Sequence, residues 1–312
     1  MLEKEKIKKK VIIIAGPTAS GKSLIALSLA EQMYGEIINA DSIQIYKGLP
    51  ILTSQPPKSF LKRVPHYLYG VINPFEKSTA KFWSDLAYNR INKSYKNSSI
   101  PIVVGGTGMY IETLMSGLSY IPKVSSQVRE DTEKIIKKKG SNYLYEKLKI
   151  SDPDLANRIS PFDSQRIARG WNVCVSSGKK LTEWQSKPRQ NFSDLKFLKV
   201  LVSPSRNSLR ELCKRRFKNM MENDVIQEVS NNMHYEDSWP IYKTLGYREI
   251  RGYLSGRGTL EKATTDTIIA TQKYAKRQLT WFRNKFQADL KIESIDQIDL
   301  LKKKIQELGF SN

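Results

Sequence analysis

Val11-Ile12-Ile13-Ile14-Ala15 runs directly into Gly16-Pro17-Thr18-Ala19-Ser20-Gly21-Lys22-Ser23, and Leu24-Ile25-Ala26-Leu27-Ser28 follows. Five consecutive apolar residues read as a strand buried on both faces, as in a parallel sheet. The eight residues Gly16–Ser23 satisfy G-x-x-x-x-G-K-[ST] at full length, and the stretch after them has the pattern of an amphipathic helix. Such a loop turns backbone N–H groups toward an anion, and the helix behind it points its positive end at the same place. Lys22 supplies a point charge for the terminal phosphate, and the Ser23 hydroxyl is the expected protein ligand of Mg²⁺. A phosphorylated ligand is therefore expected here, without the loop saying which one.

The remaining composition narrows the partners. With 312 residues, 39% of them hydrophobic and 10% aromatic, the chain can bury a full core. That length suits two domains, or one large α/β unit with an insertion. Lys and Arg number 52 against 31 Asp and Glu, a net charge of +21. A small anionic substrate needs only a few local cations, so this excess favours a polyanion, most simply nucleic acid. Lysine-rich solvated faces are the alternative. The only cysteines, Cys174 and Cys213, form no C-x-x-C, so neither a disulfide framework nor zinc is expected. His66 and His234 stand too far apart to suggest a metal site. The basic start and its five apolar residues are too short for a signal peptide, and no run reaches membrane-spanning length. A cytoplasmic protein is expected, with residues 1–10 a frayed charged arm.

Strands alternate with helices through the first third. Glu36–Ala40 reads as a second buried strand, delivering Asp41-Ser42-Ile43-Gln44 at its carboxyl end, where ligands collect in parallel α/β sheets. Residues 50–57 read as a surface loop, 67–71 as a third strand and 79–93 as a helix. Ile102–Val104 reads as a fourth strand, ending in Gly105-Gly106-Thr107-Gly108 before a helix over 109–115. Between about 127 and 183 the periodicity is helical, with helices over 127–139, 141–149, 152–158 and 163–176 and almost no strand signal. Residues 196–203 return to the sheet. Helices near 206–222, 224–232, 246–254 and 259–284, a strand at 290–292 and a helix near 296–308 complete the chain. The pattern predicts an α/β fold, a P-loop NTPase-like parallel sheet flanked by helices with a mainly helical insertion. Its parts are a first core segment (1–117), the insertion (118–193) and a return to the core with basic helices (194–312).

Asp41 has more than one reading. It could ligate Mg²⁺, act as a general base toward a nucleophile arriving at the loop, or cap a helix with Ser42. Basic residues cluster in Gln165-Arg166-Ile167-Ala168-Arg169, in Arg215-Arg216 and in Tyr274–Lys285, where Lys276, Arg277, Arg283 and Lys285 alternate with Tyr274, Trp281 and Phe282. On a helix, Lys273, Arg277, Thr280 and Asn284 share one face while Tyr274, Trp281 and Phe282 turn elsewhere. A basic stripe backed by aromatics suits a phosphate backbone. One of these arginines could equally clamp a diphosphate with its planar fork.

The order and spacing of several segments resemble those of the tRNA dimethylallyltransferases. These are GPTASGKS, NADSIQIYKGLPILTSQP, VPHYLYGVINP, PIVVGGTGMYIETLMSGL, RISPFDSQRIARGWNVCVSSGKKLTEWQ, YKTLGYREIRGYLSG and ATQKYAKRQLTWFRN. The resemblance covers roughly residues 10–285. It implies transfer of a dimethylallyl group from its diphosphate to N6 of adenine 37 in a tRNA anticodon loop. On that likeness Gly16–Ser23 holds the leaving diphosphate, with Mg²⁺ near Ser23, and Asp41 is the general base. Thr107 joins the catalytic set, and Arg216 aligns with the family's phosphate-contacting arginine. Asp41, Ser42, Ile43, Gln44, Thr107, Arg129 and Gln165–Arg169 fall where the family contacts tRNA, and Lys276, Arg277 and Arg283 join them as basic residues of the helix over 259–284. The implied partners are the anticodon stem-loop and dimethylallyl diphosphate, with a monomer acting alone.

The sequence departs from that family in three places. Leu52 and Gln55 replace a small Gly and a Lys, Asp224 stands where a helix-ending Gly is common, and Gly170-Trp171 replaces an Ala-Leu pair. An adenylate isopentenyltransferase, a small-molecule kinase and a non-catalytic RNA-binding protein with a relic loop are the competing readings. The net charge and the two basic blocks weigh against the first.

Overall fold

The computed structural model describes residues 8–310. The first seven residues of the expected N-terminal arm lie outside them. Lys9 and Lys10 are not part of an arm: they open the first strand.

The first part of the chain runs β1 (Lys9–Ala15), α1 (Lys22–Gln32), β2 (Gly35–Asn39), α2 (Pro50–Thr53), α3 (Lys58–Leu61), β3 (His66–Tyr67), α4 (Ala80–Lys96), β4 (Ile100–Gly105) and α5 (Gly108–Ser116). A middle part follows, with β5 (Leu118–Ser119), α6 (Ser126–Ser151), α7 (Pro153–Ala156), α8 (Ser164–Ser177), α9 (Leu181–Gln185) and β6 (Arg189–Gln190). The last part holds β7 (Leu195–Val202), α10 (Arg206–Glu222), α11 (Val225–Asn231), a 3₁₀ turn (Pro240–Lys243), α12 (Tyr247–Leu254), α13 (Leu260–Lys285), β8 (Leu290–Ile292) and α14 (Ile298–Glu307). By packing, the chain divides into one unit made of the residues up to 115 and from 192 onward, and a second of residues 116–191.

Among the described residues of the first unit, six strands form a sheet in the order β3-β2-β4-β1-β7-β8. Every pairing is parallel. β1 is central, with Ile14 opposite Val104 on one side and Val200 on the other. Its pleat sorts the apolar run between two layers. Val11, Ile13 and Ala15 enter a core with Trp83, Ala87 and Ile91 of α4 and Tyr110, Ile111 and Leu114 of α5. Ile12 and Ile14 enter the opposite core with Ile25, Leu29 and Ala30 of α1 and Leu301 and Ile305 of α14. A strand covered on both faces has no polar side to show, which is why it reads as an unbroken apolar run.

Two expectations need correction. The first half of the expected surface loop at 50–57 is helical: Pro50 takes the first position of the short helix α2, where its missing N–H costs nothing, and Leu52 and Thr53 are buried. The third strand is only His66–Tyr67, supplemented by an isolated bridge between Tyr46 and Ile72. The mainly helical insertion also carries a short antiparallel pairing outside its helical stretch, Leu118 with Gln190 and Ser119 with Arg189.

The second unit has its own core of Val124, Leu148, Leu155, Val173 and Leu181. Gly140, at φ 78° and ψ 164°, breaks α6 where the sequence separates two helices. Asp152 is fully buried and knits the unit together. One carboxylate oxygen caps α7 at Leu155 N–H and also accepts from the Thr182 hydroxyl, while the other accepts from Thr182 N–H. Gly170 packs so tightly that a Cβ there would stand 2.3 Å from Leu155 Cδ2.

Candidate active site

The carboxyl ends of β1, β2 and β4 bring three loops to one edge of the first unit. Gly16–Gly21 follows β1, Asp41–Gln44 follows β2, and Gly105–Gly108 follows β4, the strand lying between the other two. Gly16 is required by close approach, because a Cβ would sit 2.4 Å from the Val202 carbonyl oxygen. Gly105 is required likewise, with Ala40 O at 2.1 Å from such an atom. Gly21 takes the left-handed conformation, φ 86°, at the N-cap of α1.

Asp41 is held by a compact set of bonds. The buried Asn39 side chain accepts from Asp41 N–H at 2.9 Å and donates to Asp41 O and Leu68 O. One Asp41 carboxylate oxygen accepts from Ile43 N–H at 2.9 Å and Gln44 N–H at 3.3 Å. The reading of Asp41 as a helix cap is corrected: it caps a turn that does not continue into a helix. The Thr107 hydroxyl accepts from Ser42 N–H at 2.9 Å and donates to the Ser42 hydroxyl at 3.2 Å, fastening this turn to the loop after β4.

Cations face this carboxylate. The Lys22 ammonium donates to Pro17 O at 2.5 Å. Burial pulls its pKa from 10.5 down to about 7, the Asp41 charge opposing that shift and the Arg216 charge adding to it. Arg216, from α10, donates to the Thr18 hydroxyl and to Thr53 O at 3.3 Å, and its buried Nε has no partner. Of the adjacent pair, Arg215 is exposed and Arg216 turns inward. Tyr69, Tyr110 and Tyr274 are pushed to higher pKa by burial and by the Asp41 charge, Tyr110 to about 12.

Asp41, Arg216 and Tyr274 border a cavity of about 320 Å³. Thr18, Asp41, Arg216, Tyr274 and Arg277 supply polar lining, and Leu52, Phe217, Met220 and Leu245 an apolar wall. Tyr274 therefore lines the cavity, and Arg277 stands over its ring at 5.6 Å. Lys276 and Arg283 on the same helix are exposed.

Gln278 is a site residue that the sequence did not single out. Buried in the middle of α13, it accepts from Thr18 N–H at 2.8 Å and donates to Gly106 O at 2.8 Å, joining the loops after β1 and β4. The signal was a single glutamine inside the basic block KRQLTWFRN, which reads as one more polar surface residue. Trp281, one turn on, packs against Gly108, where a Cβ would meet its ring at 2.4 Å.

The remaining expected contacts are uneven. Gln44 spends its amide inward, donating to Thr53 O and Ser54 O. In the second unit, Gln165, Arg166 and Arg169 are exposed and Ala168 is half-buried, whereas Ile167 is fully buried in that unit. The Ile167 side chain cannot reach a partner because it serves the unit's own packing. Arg166 pairs with Asp163 at 3.2 Å. Partial burial and the charge of Arg129 both draw the Arg169 guanidinium below its ordinary pKa, so these two arginines stand together.

For a metal, the candidate donor is the Ser23 hydroxyl, exposed in the first turn of α1. Among the described residues no group of three or more His, Cys, Asp or Glu is placed to hold an ion.

The family model described as IPP transferase matches residues 44–285. A tRNA dimethylallyltransferase of Rhodospirillum centenum is 39% identical over 292 residues, 93% of each chain. The crystal structure of the tRNA isopentenylpyrophosphate transferase of Bacillus halodurans superposes with a TM-score of 0.69 at 28% identity, over 96% of each chain. A eukaryotic dimethylallyltransferase captured acting on tRNA gives a TM-score of 0.79 at 26% identity, over 95% of this chain and 78% of that one. By sequence and by fold, this chain belongs to the IPP transferase family.

Proposed function

We propose that this protein transfers a dimethylallyl group to tRNA, with dimethylallyl diphosphate as donor and N6 of adenosine 37 as acceptor. The observation that carries the assignment of parts is the cavity itself. It joins an apolar wall to a carboxylate, Asp41, and to a loop-bound cation, Arg216. An allylic diphosphate has those two characters, an apolar five-carbon chain and a strongly anionic leaving group.

In this reading the N6 lone pair attacks the allylic C1 and forms the new C–N bond. The C1–O bond breaks with its electrons going to the diphosphate, and the N6 proton passes to the Asp41 carboxylate. Arg216, Lys22 and the backbone N–H groups of Gly16–Gly21 stabilise the charge that develops on the leaving group. Lys22 suits that task because its buried ammonium is stabilised when an anion arrives beside it. Thr107 positions the Asp41–Ser42 turn. The Ser23 hydroxyl would hold Mg²⁺, since this ion binds through few protein ligands and keeps several waters. When bound, the ion would add positive charge beside the leaving group.

An adenine in a stacked loop hides its exocyclic amine, so the acceptor base must leave the stack to enter the cavity. The exposed Lys276 and Arg283 of the first unit, and separately Arg129 and Arg169 of the second, would each take backbone phosphates of the RNA. The protein acts as a cytoplasmic monomer in this reading; among the described residues no helix is long and apolar enough to cross a membrane.

The test offers radiolabelled dimethylallyl diphosphate with tRNA and AMP as competing acceptors. Label in tRNA at adenosine 37 is expected. Label in AMP alone would identify a free-nucleotide prenyltransferase instead.

A further inference from the structure

The short helix α2 begins without a cap of its own. Its N-cap is Leu49, whose side chain makes no capping bond, and Pro50 at the first position has no N–H. The next two donors, Ile51 N–H and Leu52 N–H, are both taken by Glu228 of α11, one on each carboxylate oxygen, at 2.7 and 2.8 Å. Just past the end of α11, at its C-cap, Asn232 donates to Gly48 O at 3.1 Å. Helix α11 thus holds the segment from Gly48 to Leu52 at two points.

The other end of α2 faces the active site. Thr53 O accepts from Arg216 and from the Gln44 amide. Thr53 O and the Thr18 hydroxyl are the hydrogen-bond partners that orient the Arg216 guanidinium. Leu52 itself forms part of the apolar wall. A carboxylate without an ion-pair partner among the described residues therefore anchors the strut that aims the leaving-group cation. Burial raises the Glu228 carboxyl above its ordinary pKa on balance, and the N–H groups of Ile51 and Leu52 oppose that shift.

We infer that Glu228 is a positioning residue for the transfer reaction, acting through α2 and Thr53 O to hold Arg216 against the donor diphosphate. The inference rests on the functional reading above and assigns a task to a residue outside the cavity.

The experiment is a double-mutant cycle between Glu228→Ala and Arg216→Lys, read as the KM for dimethylallyl diphosphate, the KM for tRNA, and kcat. Glu228→Ala alone should raise the donor KM about tenfold and lower kcat, with the tRNA KM within about twofold of its original value. In the Arg216→Lys background, where the two-pronged bonding is already lost, the same change should cost about twofold or less. Glu228→Gln keeps one acceptor and should fall between. Costs that multiply in the double variant, or an equal rise in the tRNA KM, would show general support of the fold and overturn the inference. Should Glu228→Ala fail to fold, the cycle with Glu228→Gln asks the same question. Absence of transfer by the unaltered protein would count against the functional reading alone. The cycle is then read on binding of inorganic pyrophosphate, where the same non-additivity is expected if Glu228 holds Arg216, and additivity overturns it.

Discussion

Gln278 and Thr18 are 260 positions apart in sequence, yet the Gln278 amide oxygen accepts the Thr18 backbone N–H at 2.8 Å. The nitrogen of the same amide donates to Gly106 O, so both ends of one buried side chain fix two loops of the site against each other. Gln278→Ala leaves a donor and an acceptor without partners. A loss of stability of about 1–3 kcal/mol is expected. Because the phosphate loop would lose its register with the loop after β4, kcat/KM should fall about 10- to 100-fold. Gln278→Glu restores only the acceptor and should recover the part of that loss that runs through Thr18. Steady-state kinetics beside a denaturant titration separates the two effects. Unchanged kcat/KM in a destabilised variant would reduce Gln278 to a packing residue.

Asp41 is tested best by a change that spares its turn. Its carboxylate caps Ile43 and Gln44, so Asp41→Ala removes a structural bond together with the proposed base. Asp41→Asn keeps an acceptor for those N–H groups while removing the basicity. It should lower kcat by about 10²-fold or more and leave tRNA affinity within about twofold. Single-turnover rates and a binding isotherm check this. Near-normal turnover would remove Asp41 from the chemistry.

What could be read in the sequence, and what could not, follows from how far apart the interacting residues lie. The phosphate loop and the strand before it are local, so eighteen residues, Val11–Ser28, suffice to place them. Asp41 is legible because it ends an apolar strand. Asp224 sits where the family carries a helix-ending Gly, and the structure finds it at φ 60°. By contrast Gln278 and Glu228 take their meaning from Thr18, Ile51 and Leu52 in the first part of the chain. Residues 50–57 misled because Pro marks helix starts as well as loops. The strands β3, β5 and β6, of two residues each, are too short to leave a period.

Glu36 gives a pH-dependent prediction away from the site. It opens onto a buried cluster, accepting from Arg90 and, at 2.6 Å, from the Ser94 hydroxyl. Burial alone would raise its pKa, but the Ser94 and Arg90 bonds outweigh burial and hold it below its ordinary value of 4.5. A depressed carboxylate contributes stability that is fully present above the unfolded-state pKa and is lost as pH falls through the folded-state one. The stability difference between the unaltered protein and Glu36→Gln should therefore be flat near neutrality and shrink below about pH 4.5. At neutral pH the variant leaves Arg90 with its charge uncompensated, at a cost of about 3–5 kcal/mol. Denaturation midpoints measured across the acid range decide it; a difference that does not change with pH would dissociate the cluster from acid sensitivity.

Gly170 tests whether the departure from the family's Ala is a local fit. Alanine would gain about 0.5–1 kcal/mol of helix propensity. Against that, its Cβ would meet Leu155 at 2.3 Å and Leu148 at 3.2 Å. Overpacking of this kind costs about 1–3 kcal/mol, so Gly170→Ala should be destabilising on balance. Adding Leu155→Val makes room and should return part of the loss, a non-additivity that thermal melts of the two single variants and the double one would reveal.

Arg129 and Arg169 offer the sharpest test of the RNA reading, because their mutual repulsion is a cost in the free protein. Partial burial and the charge of Arg129 both disfavour the Arg169 cation, and a phosphate placed between the two would relieve that repulsion. The net charge of +21 predicts tRNA binding that weakens steeply with salt, whichever cations make contact. The double substitution Arg129→Ala, Arg169→Ala should reduce the slope of log K against log salt by about two if each contacts one phosphate. It should weaken binding of all tRNAs alike, since backbone contacts carry no sequence information. Arg166→Ala is the control on the same helix, because Arg166 is already paired with Asp163 and should shift the slope less. Filter binding from about 50 to 200 mM salt gives all three slopes. Equal slopes for the double variant and the unaltered protein would mean that this arginine pair is solvated surface, with the RNA held elsewhere.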